Sequence, residues 1–121
     1  MSAGLQHVAL ETRRDAVAAE VAFWALLGFS EVAPPASLAG RATWLAAGGT
    51  QIHLLYADAP VAPPRGHVAV LAPAFDATIA LLENAGHPTE SRTPHWGAAR
   101  ATVRSPGGHL VELMAAPPPA G

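Results

Sequence analysis

The chain contains neither cysteine nor lysine. Without thiols it can build no disulfide frame and no thiolate metal site, and the two absences together exclude a cysteine nucleophile and a Schiff-base amine. Any metal would be held by imidazole and carboxylate, which leaves 6 histidines and 9 acids as candidate ligands. Charge is also scarce: charged residues make up 13% of the chain, and the formal net charge is −2. All 7 basic residues are arginine, spread along the sequence without a cluster, so neither a nucleic-acid surface nor an anionic-membrane surface is expected. No apolar run approaches the roughly 20 residues that span a bilayer. The amino terminus lacks the basic-then-apolar pattern of a secretory leader, so the expected location is the cytoplasm.

Hydrophobic residues account for 50% of the 121, enough for one core and one compact domain. The informative feature is a repeat that emerges when the sequence is slid against itself by about half its length. Gln6-His7-Val8-Ala9-Leu10 matches Gly66-His67-Val68-Ala69-Val70 at an offset of 67 − 7 = 60. Gly48-Gly49-Thr50-Gln51-Ile52-His53-Leu54-Leu55 matches Gly107-Gly108-His109-Leu110-Val111-Glu112-Leu113-Met114 at 112 − 53 = 59. Two alanine-rich helical stretches, Asp15 to Leu27 and Phe75 to Ala85, are each followed by a glycine in the C-cap position, Gly28 and Gly86, at 86 − 28 = 58. Three landmarks agreeing this closely argue for a duplicated module.

Each half reads as strand, helix, then three strands. The strands fall near Leu5 to Thr12, Phe29 to Ala33, Arg41 to Ala46 and Gln51 to Ala57 in the first half, and near Gly66 to Leu71, Pro88 to Ser91, Ala99 to Arg104 and Leu110 to Ala115 in the second. Module one thus spans about 5–58, a proline-rich linker 59–65, module two about 66–115, and a disordered tail 116–121. Phe23, Trp24, Leu26 and Leu27 are expected to bury one side of the first helix, and Ile79, Leu81 and Leu82 one side of the second.

Alternation along a strand puts every second side chain on one face. With Val8, Leu10, Val68 and Val70 turned to the helices, His7 and His67 lie on the opposite faces of the opening strands. His53 and Glu112 lie on the corresponding faces of the closing strands. If the two sheets curve toward one another about a pseudo-two-fold axis, these four side chains converge. Three imidazoles turned to a sheet interior are costly to desolvate unless something binds them, and a metal does so. Three imidazoles and a carboxylate suit one divalent nickel, zinc, iron, cobalt or manganese ion, with positions left open for a bidentate small-molecule substrate. His87, His95 and His109 are expected at the rim or in solvent.

At this point the sequence resembles the vicinal-oxygen-chelate superfamily, the glyoxalase, bleomycin-resistance and extradiol-dioxygenase group, over nearly its whole length. The resemblance is carried by His7, by the helix end Leu27-Gly28-Phe29, by Gly66-His67-Val68-Ala69, and by Ser105-Pro106-Gly107-Gly108 leading to Leu110-Val111-Glu112-Leu113. The last is similar to the family's Asp-Pro-Asp-Gly turn, with serine and glycine in place of the aspartates. The implied fold is α+β, two tandem βαβββ modules forming a curved, open, barrel-like mixed sheet with the helices outside, within a single glyoxalase-like domain over 1–121. The resemblance implies that His7, His67 and Glu112 are metal ligands, and that His53 stands where glyoxalase I enzymes carry a fourth, usually glutamate. It implies a lyase or isomerase acting on a substrate such as a hemithioacetal, with Glu112 as the proton-transfer group; members of the group build the cavity within one chain or across two, and a homodimer is expected here, which the apolar composition permits. Gln51, Trp44, Trp96 and Arg100 are candidate substrate contacts. An extradiol ring-cleaving dioxygenase would use the same triad, but His53 would crowd a site that must admit oxygen and catechol. Fosfomycin thiol transferases are disfavoured by Ala9 and by the lack of a tyrosine in the stretch leading to Ser105. A non-catalytic drug-binding module is the remaining alternative, against which the retained quartet argues.

Overall fold

The structure is a computed structural model and describes residues 2–120. The chain divides into two compact units, one ending at Ala62 and the next beginning at Pro63. In the first, β1 (His7–Thr12) leads through a 3-10 turn (Arg14–Ala16) into α1 (Val17–Leu26), followed by β2 (Ser30–Val32), β3 (Ala42–Ala47) and β4 (Thr50–Tyr56). The second repeats the order with β5 (Val68–Leu71), α2 (Phe75–Asn84), β6 (Thr89–Arg92), β7 (Arg100–Arg104) and β8 (Leu110–Met114). Each unit holds a four-stranded mixed sheet, ordered β1-β4-β3-β2 and β5-β8-β7-β6. In each, the opening strand runs parallel to the closing strand and the other pairs are antiparallel. The architecture is therefore α+β, two βαβββ modules in tandem, as the repeat implies.

Both helices stop in the same way. Gly28 adopts φ 92 and Gly86 φ 87, a left-handed conformation that costs glycine little. Around the first, Gly28 N–H donates to Ala25 O at 3.0 Å and Phe29 N–H to Trp24 O at 3.1 Å. Around the second, Gly86 N–H donates to Glu83 O at 3.0 Å and His87 N–H to Leu82 O at 2.9 Å. This double bond pattern is the Schellman motif, and its apolar contact is present in the first module as an edge-on Trp24–Phe29 pair at 5.5 Å. The stop turns each chain directly into β2 or β6.

Alternation holds through the sheets. In β1, Val8 and Leu10 are half-buried and Thr12 buried, while His7, Ala9 and Glu11 are exposed. The core of module one comprises Phe23, Trp24, Phe29, Leu45, Ile52 and Leu54, and that of module two Ala72, Leu82, Ala101, Val103, Val111 and Leu113. Full burial of each larger side chain contributes about 1.5–3 kcal/mol. Two details differ from the sequence reading. The first turn of the expected Asp15 helix is 3-10. Leu81 is 51% exposed, because Phe75, Ile79 and Leu82 form the i, i+4, i+7 stripe of α2 and Leu81 falls off it. Of the expected tail, residues 116–120 form no regular element, and Gly121 lies outside the described residues. Among the described residues no helix is long and apolar enough to cross a membrane.

Candidate functional site

In module one the sheet face away from α1 carries an aromatic stack. β4 runs between β1 and β3, and its register sets His53 opposite Ala9 on one side and Trp44 on the other. The His53 ring is stacked on His7 at 3.9 Å and on Trp44 at 4.0 Å, the latter at an interplanar angle of 1°. Hydrogen bonds orient both imidazoles. His53 Nε2–H donates to Gln51 Oε1 at 2.7 Å, and His7 Nδ1–H donates to Gln6 Oε1 at 2.7 Å, so His7 Nε2 and His53 Nδ1 keep their lone pairs. His53 is only 6% exposed. Burial, and secondarily the neighbouring His7, push its pKa down and favour the neutral ring that can act as a ligand.

The equivalent face of module two is polar and charged. Glu112, 6% exposed, pairs in register with Ala69 and Thr102. Its Oε2 accepts from Arg100 Nε at 2.8 Å and its Oε1 lies 3.1 Å from His67 Nε2. Burial alone would raise the Glu112 pKa, but the Arg100 hydrogen bond and charge, with a smaller contribution from His67, outweigh it and hold the group below its ordinary value. Arg100 is itself fixed by an NH1 bond of 2.6 Å to Thr93 O and lies over the Trp96 ring at 5.3 Å. Trp96 Nε1–H donates to Ala116 O at 2.9 Å. A groove of about 360 Å³ runs along this face past His67, Thr102 and Glu112.

The four expected metal ligands thus come as two pairs, His7 with His53 and His67 with Glu112. Among the described residues no group of three or more histidine, aspartate or glutamate side chains is gathered. Of the candidate substrate contacts, Gln51 and Trp44 touch His53, Arg100 touches Glu112, and Trp96 touches Arg100. The rim expectation fits exposed His95 but not His109, which is 3% exposed. His109 is enclosed because it closes the turn after β7: Ser105 N–H donates to His109 O at 2.9 Å, and His109 N–H to Ser105 Oγ at 3.1 Å. His87 is half-buried. Sequence reasoning did not pick out Arg65, Arg92 and Arg104, which line the groove with Arg100. The signal was the alternation of Arg100, Thr102 and Arg104 along β7, legible only once its pairing with Glu112 is known.

The sequence profile of the Glyoxalase/Bleomycin resistance protein/Dioxygenase superfamily matches residues 4–113. The chain belongs to this superfamily. No curated protein matches. Among solved structures, a glyoxalase-family protein from Bacillus anthracis shares 22% identity at a TM-score of 0.84, covering 94% of this chain and 95% of the other. Lactoylglutathione lyase from Agrobacterium tumefaciens shares 22% identity at a TM-score of 0.71, covering 93% of each chain. The fosfomycin resistance protein FosX from Listeria monocytogenes, in complex with manganese(II) and 1S,2S-dihydroxypropylphosphonic acid, shares 19% identity at 0.77, covering 97% of this chain and 93% of the other. At these identities the likeness is one of fold. The superfamily includes metal-dependent enzymes and resistance proteins.

Within module two, the His67–Glu112 pair has the donor chemistry of two divalent-metal ligands. His67 Nδ1–H donates to Arg65 O at 2.8 Å, which aims Nε2 at Glu112 Oε1, 3.1 Å away. Pinning one imidazole nitrogen to a carbonyl fixes the direction of the other, as is common for metal-ligating histidines. With no cysteine in the chain, the donor set is hard to borderline, as first-row divalent ions prefer.

Proposed function

We propose that the chain is a divalent-metal enzyme of the glyoxalase type, a lyase or isomerase acting on a small substrate with two adjacent oxygens, such as a hemithioacetal. The ligands in this reading are His7, His53, His67 and Glu112. The observation that carries it is His67, whose two ring nitrogens both face acceptors, Arg65 O at 2.8 Å and Glu112 Oε1 at 3.1 Å. A shared cation satisfies that arrangement. When bound, a nickel, zinc, iron, cobalt or manganese ion would supply Lewis-acid polarisation of the substrate oxygens.

The chain's own groups do the rest. Glu112 takes the proton from one substrate carbon and returns it to the adjacent carbon. Arg100 holds Oε2 and keeps the carboxylate anionic, leaving Oε1 to take up the proton. Gln51 and Trp44 hold the His53 ring in one orientation, which lowers the entropy cost of ligation. In the same proposal the working form is a cytoplasmic homodimer. The test is turnover of methylglyoxal hemithioacetals by the chain reconstituted in turn with each metal. Glu112→Gln is expected to lower kcat at least about a hundredfold, the scale of a general acid–base contribution. An unchanged kcat in Glu112→Gln would remove the assigned proton-transfer role. Stoichiometric binding of the substrate without turnover would favour the binding-module reading.

A further inference from the structure

One sheet face of module two carries guanidinium groups that neither the fold nor the proposed metal site uses. Alternation sets Arg92 of β6, Arg100 and Arg104 of β7, and Leu110 and Glu112 of β8 on the same face, and Arg65 reaches it from ahead of β5. Four of the chain's 7 basic residues therefore line one groove of about 360 Å³ around a single lining carboxylate, in a chain of net charge −2. Arg100 is committed to Glu112 and Thr93. The other three are poorly neutralised. Arg104 gives one bond, NH1 to Gly108 O at 3.1 Å. Arg92 bonds the neutral Thr102 hydroxyl at 3.1 Å, and its contact with the exposed Glu90 is a long 3.4 Å. Arg65 has no side-chain hydrogen bond or ion pair among the described residues. Gathering like charges is unfavourable unless a counter-charge joins them.

The repeat supplies an internal control. Arg100 and Arg104 pair with Met114 and Leu110 just as Ala42 and Ala46 pair with Leu55 and Gln51 in module one. The duplicated frame is satisfied by alanine at both places, so the guanidinium groups are an addition to one module. A groove of this volume suits a small molecule. Guanidinium forks bind planar or tetrahedral oxyanions through paired hydrogen bonds.

We infer that this groove holds the oxyanionic end of a small molecule, a carboxylate or a phosphoryl group, with Arg92 and Arg104 as its principal donors and Arg65 as a third. The inference rests on the proposed function in taking this face as the substrate's, and it gives that substrate a negative charge. It is tested by calorimetric titration of the EDTA-treated full chain with glycolate and, separately, with methyl phosphate. At least one anion is expected to bind, more weakly as salt is raised. Affinity should fall about tenfold or more in Arg92→Ala/Arg104→Ala, and less in Arg92→Lys/Arg104→Lys, which keeps the charge but loses the fork. Arg41→Ala, in module one, should bind like the parent. Preference for glycolate identifies a carboxylate substrate, and preference for methyl phosphate a phosphoryl one. Absence of binding by both anions, or equal affinity in the parent and a double alanine variant folded by circular dichroism, overturns the inference. Because the chain is stripped of metal and the polycarboxylate chelator removed before titration, arginine-dependent binding in a chain that takes up no metal would leave this inference standing while the proposed metal function fails.

Discussion

Thr12 closes β1 with its side chain toward the helix-facing layer, 1% exposed, and its hydroxyl has no hydrogen-bond partner. Valine has the same shape without the polar atom. Thr12→Val should therefore raise stability by about 1 kcal/mol, seen as a higher urea midpoint at unchanged slope. Lower stability in that variant would mean the hydroxyl is satisfied in solution. Glu20 is the opposite case. It is 0% exposed on α1, and Trp24 Nε1–H donates to its Oε2 at 3.0 Å. Trp24→Phe leaves that carboxylate one donor short and should cost about 1–3 kcal/mol by the same measurement. At this scale the sequence was readable wherever strand alternation decided the answer, as for His53 and Glu112. It was silent on Glu20, because a lone acid on an alanine-rich helix reads as a solvent-facing residue. It was silent on the arginine groove too, because Arg65, Arg92 and Arg104 are far apart in sequence and meet only through the β6–β7–β8 register.

The elements themselves were legible nearly to their ends, since the signals were chemical: helix-stopping glycines, the Gly48-Gly49 turn between β3 and β4, and apolar alternation. The exceptions have local causes. Strand starts at Leu5 and Gly66 were set too early because parallel pairing begins only at His7 and Val68. One inter-element tie was not foreseen: Glu83, in the last turn of α2, accepts at Oε1 from Thr89 Oγ1 at 2.6 Å and Thr89 N–H at 3.0 Å, fastening α2 to β6. These two bonds, the hydroxyl's first, lower the Glu83 pKa below the ordinary glutamate value. A carboxyl whose folded pKa is depressed stabilises the fold above its unfolded pKa, and that contribution is lost as pH falls through the folded value. The stability gap between the parent and Glu83→Gln should therefore be largest near neutrality and narrow progressively below about pH 4.5. A gap independent of pH between 3 and 7 would show that charge plays no part in the tie, as read from urea unfolding at each pH.

For the molecule as a whole, the repeat was the feature that carried most. It fixed module count, element order and the matching positions of the ligand-capable residues, because duplication constrains all of these together. Substrate identity was not carried by the repeat, since what distinguishes the two modules lies outside it: a stacked His7–His53–Trp44 face in one, and a guanidinium groove around Glu112 in the other. The central claim is that His67 and Glu112, side by side in module two, are ligands of a divalent metal ion. Its most direct test is elemental analysis of the untagged chain after reconstitution and desalting, with His67→Ala and Glu112→Ala beside the parent and exposed His95→Ala as control. The account predicts about one divalent ion per chain in the parent and control and about a tenfold or greater loss of affinity in each ligand variant. No retained ion in the parent, or equal retention in all four proteins, would contradict it.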